Sequence, residues 1–318
     1  MKDRFVSLPD GVPLCPITRL PAKRRIQKLS KALMTNLWRF GAGVDVSRLL
    51  RGKGDLELWE SHCGLAFFHP MIAGDEAFYG RYYRHQHALV ASIAASWLER
   101  TDFLAGARLI RPGDKVLDVA SGPGGFQQYV PQADYVGIDP FLTPRDARPG
   151  LLRESLDAHA ASHAGSYDVV CGFQVIEHVA DPLAFARSML SLVKPGGLLI
   201  LAAPSWPSPM TDIPNCIGNA IPHHLSWWTA GAFGALASEL GVEPVTIEPL
   251  PANRLQLLFH WARILGWAKT KDTFFEPRLD WCLSVAFAYF GAQVMSLTCR
   301  MPRGARSMDM VMAARKPG

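Results

Sequence analysis

The sequence contains no CxxC pair. Its six cysteines, at positions 15, 63, 171, 216, 282 and 299 of 318 residues, are scattered. That spacing argues against a zinc ribbon or a disulfide scaffold and suits a reducing cytoplasm. The first residues, MKDRFVSLPDG, lack the apolar core of a secretory leader, so a cytoplasmic location is expected. Charge is modest at 19%, beside 49% hydrophobic residues. This composition excludes a disordered chain and implies a large core, in one large domain or a domain with a substantial accessory part.

Acids are absent between Ile17 and Phe40, where seven basic residues occur (Arg19, Lys23, Arg24, Arg25, Lys28, Lys31 and Arg39). Residues 1–60 carry twelve Lys+Arg against six Asp+Glu, and the remainder is near neutral. Ile26, Leu29, Leu33 and Leu37 recur at helical spacing, which predicts a basic amphipathic helix. Such a helix is either a solvated face packed on the core or an attractor for an anionic substrate or membrane surface. Charge is also missing from Trp281 to Thr298, just short of the ~20 residues of a typical span.

What is present begins at Lys115. KVLDVA (115–120) is a short apolar run of the kind found in buried parallel strands, and it leads into SGPGGF (121–126) and a helix start at QQYV. DYVGID (134–139) is a second strand ending in an acid. Strand, glycine turn, helix, strand and acid make a βαβ nucleotide-binding unit. Gly122 and Gly124 let the backbone turn sharply and approach a ligand without a Cβ in the way. Asp139, 21 residues after Asp118, stands where a carboxylate can hold ribose hydroxyls.

Three further features narrow the choice beyond a nicotinamide dehydrogenase. Asp118 lies inside the first strand, YDVVCGFQVIEHVADP (167–182) runs from a strand into Glu177-His178, and SLVKPGGLLILAAPS (191–205) reads as helix end, Pro-Gly-Gly turn and long apolar strand. Together these resemble the class I S-adenosylmethionine-dependent methyltransferases. More narrowly, they resemble the bacterial small-molecule enzymes related to the ubiquinone-biosynthesis type. The resemblance covers residues 113–205 and, more loosely, 206–250.

It implies an α/β Rossmann-like fold: a seven-stranded, mostly parallel sheet with an antiparallel last strand, an N-terminal helical cap and a helical insertion before that strand. The expected division is a mainly helical cap or lid over 1–112, a cofactor-binding core over 113–250, an apolar helical insertion over 251–306 and the final strand over 307–318. The implied cofactor is S-adenosyl-L-methionine, with S-adenosyl-L-homocysteine as product. By the same resemblance Asp118 and Gly122 flank its methionine part, and Ala120, Ser121 and Gly124 line the turn. Asp139 holds the ribose, Pro140 and Phe141 lie near the adenine with Glu154, Ser155 and Leu156, and Phe173 and Gln174 approach the methyl group. Ala120 departs from the family, which usually has glycine there. Glu177 and His178 read most simply as holding their loop, with His178 also a candidate substrate contact.

In the cap region, the aromatic stretch 58–85 ends in Tyr79, Tyr82, Tyr83 and His85, which either pack or line a pocket for a ring-bearing or hydroxylated substrate. After the fifth strand comes IPHHLSWWT (221–229). His223 or His224 is a candidate catalytic base or substrate contact, because a hydroxyl acceptor must lose a proton to accept a methyl group. No metal is expected here, since neighbouring residues on an extended chain point to opposite sides and no other ligand lies at suitable spacing.

The expected function is methyl transfer to a heteroatom of a small metabolite, oxygen first and sulfur, selenium or nitrogen behind it. Alternatives are a quinone- or lipid-directed methyltransferase at a membrane surface, a nicotinamide oxidoreductase, and a non-catalytic cofactor-binding protein. A nucleic-acid substrate is not expected, since no Asn/Asp-Pro-Pro-Tyr motif occurs. Expected partners are the small-molecule substrate, with peripheral membrane contact or a homodimer through the apolar insertion as further options. Both ends of that insertion lead into one sheet, so it is not expected to span a membrane.

Overall fold

The acids missing from residues 17–40 turn up on a neighbouring strand. In the computed structural model, which describes residues 11–82, 100–253 and 256–318, the expected basic helix is split at Ser30. Arg24–Leu29 form strand β1, and Lys31–Ala42 form helix α1. Ser30 caps α1, its Oγ accepting the Leu33 N–H at 3.1 Å, and Gly43 (φ 64°) ends the helix in the left-handed region. Strand wins over helix before Ser30 because β1 pairs antiparallel with Leu56–Glu60 (β2). Lys23 and Arg24 reach Glu60 at 3.2 and 2.7 Å, Arg25 reaches Glu57 at 2.7 Å, and Lys28 reaches Asp55 at 2.6 Å. Each exposed pair is worth only about 0–1 kcal/mol. Collectively they neutralise the run that looked like a free cationic face.

A short helix α2 (Ser47–Leu50) precedes β2, and Ala66–His69 (β3) pairs with β2. Residues 76–82 are helical (α3), and Thr101–Ala107 form α4. The N-terminal region, expected to be mainly helical, therefore carries a β-sheet as well. Trp38, Phe68, Phe78 and Leu58 bury against it, with Phe274 and Phe275 arriving from the C-terminal part.

The main sheet comprises β4 (Lys115–Val119), β5 (Asp134–Ile138), β6 (Leu151–Leu152), β7 (Tyr167–Phe173), β8 (Val193–Pro204), β10 (Glu243–Pro249) and β11 (Asp309–Arg315). In space they run β6-β5-β4-β7-β8-β11-β10, with β4 to β8 parallel and β11 antiparallel to both its neighbours. Side chains alternate across the pleat. Leu117, Leu199, Leu201, Met310 and Met312 pack on α6 (Pro182–Leu192) and α7 (Ala230–Leu240). Val116, Val169, Ile200 and Val311 face the other way, onto Phe103 and Phe126. Thr229 caps α7, and α5 (Leu156–Ala160) follows β6. β8 starts at Val193 and runs through Pro195-Gly196-Gly197, so the expected turn there is part of the strand.

The remaining strand, β9, is Ser226–Trp227, within the histidine-tryptophan stretch. It leaves the main sheet and pairs with β3, completing a second sheet in the order β1-β2-β3-β9. Between β10 and β11, helices α8 (Gln256–Leu265) and α9 (Leu279–Thr298) pack together through Ala262, Ala288 and Ala292. By length and composition α9 could cross a membrane. Its flanking strands β10 and β11 are paired neighbours in one sheet, which a single crossing would separate.

Candidate active site

The tips of β4, β5 and β7 form the floor of a cradle. β4 ends at Val119, and Ala120 takes φ 58° where no side chain is favoured. Ser121 donates its N–H to Ile138 O at 3.1 Å, tying the turn to β5. Gly122 has φ 50°, and a Cβ there would meet nothing within 4 Å; at Gly124 (φ 72°) it would meet Leu151 at 2.8 Å. The half-buried Asp139 braces this turn. Its Oδ2 accepts the Gly122 N–H at 3.0 Å, and its Oδ1 accepts the Phe141 N–H at 2.8 Å. Pro140 and Phe141 are exposed beside it.

Other expected cofactor residues are placed differently. Asp118 is 3% exposed and accepts the Tyr135 hydroxyl at 2.8 Å inside the sheet, where burial pushes its carboxyl up to about 7. Glu154 Oε2 pairs with His159 Nδ1 at 2.9 Å, and Ser155 caps α5 by accepting the Ala158 N–H. Ser155 and Leu156 also border a cavity of about 260 Å³ with Asp157, Ala184, Phe185 and Ser188; no residue of the β4–β5 turn lines it. Phe173 packs on Phe103 and Phe126, and Gln174 (φ 57°) ends β7 with its N–H on Ala202 O at 2.9 Å.

Beyond Gln174, the chain turns through Ile176–His178 and meets the loop that precedes β9. Here the expected extended conformation at the histidine pair gives way to a turn. The N–H groups of His223 and His224 both point at Ala220 O, at 3.0 and 3.2 Å, and the two rings stack with centroids 4.6 Å apart. The turn is anchored from several sides. Trp38 Nε1 donates to Ile221 O at 2.6 Å, Trp227 Nε1 to Asn219 O at 2.9 Å, and the Leu225 N–H to Glu177 O at 2.7 Å.

His178 joins the pair, its ring 4.5 and 4.9 Å from those of His223 and His224. Its Nδ1 donates to His223 O at 2.7 Å, and His224 Nδ1 pairs with Asn219 Oδ1 at 2.9 Å. The carboxylate of Glu177, fully buried, lies 3.6 Å from His178 Nε2 and 4.0 Å from His224 Nε2. Neither Glu177 oxygen, nor His223 Nδ1, has a hydrogen-bond partner. Burial lowers His178 to about 4, partly offset by the carbonyls of His223 and Gln174. It holds His223 and His224 well below the usual imidazole range and Glu177 well above the carboxylate range.

The premise that the two adjacent histidines lie on extended chain and point to opposite sides therefore fails here. With His178, one ring nitrogen of each lies within 4.8 Å of the others. Tyr82 packs on His223 at 4.7 Å, and Tyr79 lies 5.9 and 6.1 Å from His223 and His178. Tyr83 and His85 lie outside the described residues. Asn219 is the member that sequence reasoning missed, and from sequence Glu177 reads only as holding its loop. The only signal was "VIEHV", 45 residues from the histidine pair.

Residues 83–247 match the model of a methyltransferase domain family. The chain belongs to that family. The methyltransferase is 36% identical over 97 residues to the ubiquinone biosynthesis O-methyltransferase of Escherichia fergusonii, covering 27% of this chain and 40% of that protein. It is 36% identical over 117 residues to that of Xanthomonas campestris pv. campestris, covering 32% and 48%. The matched segment thus spans less than half the length of these curated relatives. Among solved structures, it is similar to S-adenosylmethionine-dependent methyltransferases from Archaeoglobus fulgidus (TM-score 0.45, 15% identity, 76% of this chain and 100% of that one) and Mesorhizobium loti (TM-score 0.42, 14% identity, 68% and 98%).

The family's cofactor is S-adenosyl-L-methionine, and the cradle suits it. The Gly122 backbone faces open space, and Asp139 sits at the strand tip with lone pairs beyond those used by two N–H groups. When bound, the cofactor supplies an electrophilic methyl on a sulfonium. The chain's own task is then to place and prepare the nucleophile.

Proposed function

We propose that this methyltransferase methylates a heteroatom, oxygen first, of a small molecule that seats against Tyr79, Tyr82, His178 and His223. The observation that carries this reading is the convergence of these side chains four residues past Gln174, beside the tip of β7. Aromatic walls suit a ring-bearing acceptor, and neutral imidazoles accept hydrogen bonds from its hydroxyl. The names of the relatives support oxygen as the receiving atom.

His223 is the acceptor-facing member of the pair in this reading. It carries the Tyr82 contact and an unpartnered Nδ1, whereas His224 is tied to Asn219. Its role is contact rather than full proton removal. Burial holds its imidazole well below the usual range, so it is a weak base towards a phenol whose own value is near 10.

The test has two stages: calorimetry with S-adenosylhomocysteine, then methyl transfer from labelled S-adenosylmethionine to panels of phenols, thiols and amines. The expected result is binding, with turnover on a phenol or catechol that falls in His223→Ala while S-adenosylhomocysteine affinity holds. Turnover confined to thiols or amines would overturn the oxygen assignment.

A further inference from the structure

We propose that His178, His224 and His223, with the carboxylate of Glu177, bind one divalent transition-metal cation of the zinc or ferrous type. Three imidazoles and one carboxylate are the donor set such ions select, whereas magnesium and calcium prefer oxygen. The first argument is distance. Ligands of a tetrahedral ion at about 2.05 Å stand about 3.3 Å apart. The Nε2 atoms of His178 and His224 lie 3.6 and 4.0 Å from Glu177 Oε1, too far for a direct hydrogen bond and close to the separation of two ligands. The three histidine nitrogens lie within 4.8 Å of one another, and Glu177 Oε1 approaches two of the three rings; rotation of its side chain would bring the carboxylate into the set.

The second argument is orientation. His178 Nδ1 is committed to the His223 carbonyl and His224 Nδ1 to the Asn219 side-chain oxygen. Their hydrogens therefore point outward, and the Nε2 lone pairs point inward, the outer-shell arrangement of metal-bound histidines. Those lone pairs face the Glu177 carboxyl, so either a proton or a cation must stand between them.

The third argument is the set of orphaned atoms. Both Glu177 oxygens and His223 Nδ1 are buried without partners, and leaving such groups bare costs about 1–3 kcal/mol each. A cation held between the rings and the carboxylate would satisfy the Glu177 oxygens, and His223 Nδ1 where that nitrogen is its ligand. The rival occupant is a single proton on Glu177, which burial favours. It would satisfy one oxygen and leave the other two atoms bare.

With the ion bound, the histidine lone pairs are its ligands and the acceptor's hydroxyl would meet the ion in their place; the site itself does not depend on which acceptor is methylated, so the two readings fail separately. The experiment strips the 318-residue chain with dipicolinate and titrates it with Zn²⁺ by calorimetry, then repeats the titration with Co²⁺ to read the coordination spectrum. One equivalent per chain is expected, with a tetrahedral or five-coordinate cobalt spectrum. His224→Ala and Glu177→Gln should each weaken Kd by about 100-fold or more. Asn219→Ala, a positioning change, should weaken it by about 10-fold. Intact S-adenosylhomocysteine binding in each variant reports folding, and Asn219→Ala keeps the test open if a ligand variant does not fold.

Absence of stoichiometric Zn²⁺ binding by the stripped wild type would overturn the proposal. So would binding that survives His224→Ala but disappears in Cys15→Ser, which would place the ion at the Cys15–Cys63 thiols, 3.9 Å apart. Zinc binding without turnover on any acceptor sinks the functional reading alone. Turnover by chain that binds no zinc sinks the metal site alone.

Discussion

Gly122→Ala separates what the turn after β4 does for the fold from what it does for the ligand. At φ 50° an alanine costs about 1–2 kcal/mol in the left-handed region, offset by about 0.5–1 kcal/mol of glycine entropy in the unfolded chain. The added Cβ meets nothing within 4 Å, so no packing penalty joins this. The net stability loss is therefore roughly 0.5–1 kcal/mol, or about 1–3 °C in Tm. Gly43→Ala is a matched control, since Gly43 has φ 64°, no atom within 4 Å of its Cβ and a place at the end of α1 away from the cradle. Differential scanning calorimetry should show similar losses for both. Titration with S-adenosylhomocysteine should not: if the open space at Gly122 is where the cofactor lies, its Kd rises by at least about 10-fold, or 1.4 kcal/mol, while Gly43→Ala binds like the wild type. Equal affinities in both variants would show that the space belongs to solvent, and the cofactor assignment of this turn would fall.

Ala120→Gly should raise stability by about 0.5–1 kcal/mol in urea denaturation, because it relieves a left-handed alanine at φ 58°; a loss would mean the methyl packs usefully. Asp139→Ala should weaken S-adenosylhomocysteine binding by at least about 10-fold, since it removes the brace on Gly122 and the carboxylate expected to hold the ribose; unchanged affinity refutes the ribose role. Asp118 keeps its proton in the folded state up to about pH 7, whereas the unfolded carboxyl releases it near 4. Its stabilising contribution is thus full below pH 4 and lost as pH climbs to 7, by roughly 4 kcal/mol. Asp118→Asn, whose amide oxygen still accepts from Tyr135, should flatten that slope, and a variant less stable than wild type at pH 8 would contradict the account.

The cradle was legible because its parts are contiguous. Gly122, Gly124 and Asp139 fall within one short strand–turn–strand stretch, although the helix expected from QQYV is only a 3-10 turn over Gly125–Tyr129. Asp118 shows the limit of that reading, since a strand acid can turn to the ligand or into the sheet, and here Tyr135 draws it inward. β1 was misread because its apolar spacing fits a helix. The acids that make it a strand lie some thirty residues on, at Asp55, Glu57 and Glu60. The imidazole cluster was invisible for a similar reason. His178 and His223 are 45 residues apart, and the turn that stacks His223 on His224 depends on Ala220 O and on Trp38 holding Ile221. Glu177 does hold its loop, through its backbone carbonyl, but its side chain belongs to the cluster.

The pairing of β3 with β9 sets a schedule for synthesis. The partner of Ala66 and Phe67 is Trp227 and Ser226, which leave the ribosome some 160 residues later. At about 5–20 residues per second this is a wait of about 8–30 s, during which the edge of β3 offers unpaired backbone to any passing strand. Charged β1, on the opposite margin, is ready from the start to discourage such pairing there. The histidine loop is thus the closing piece of an earlier-made sheet, and slow or paused translation before residue 226 should lower the yield of soluble enzyme more than a pause placed after it.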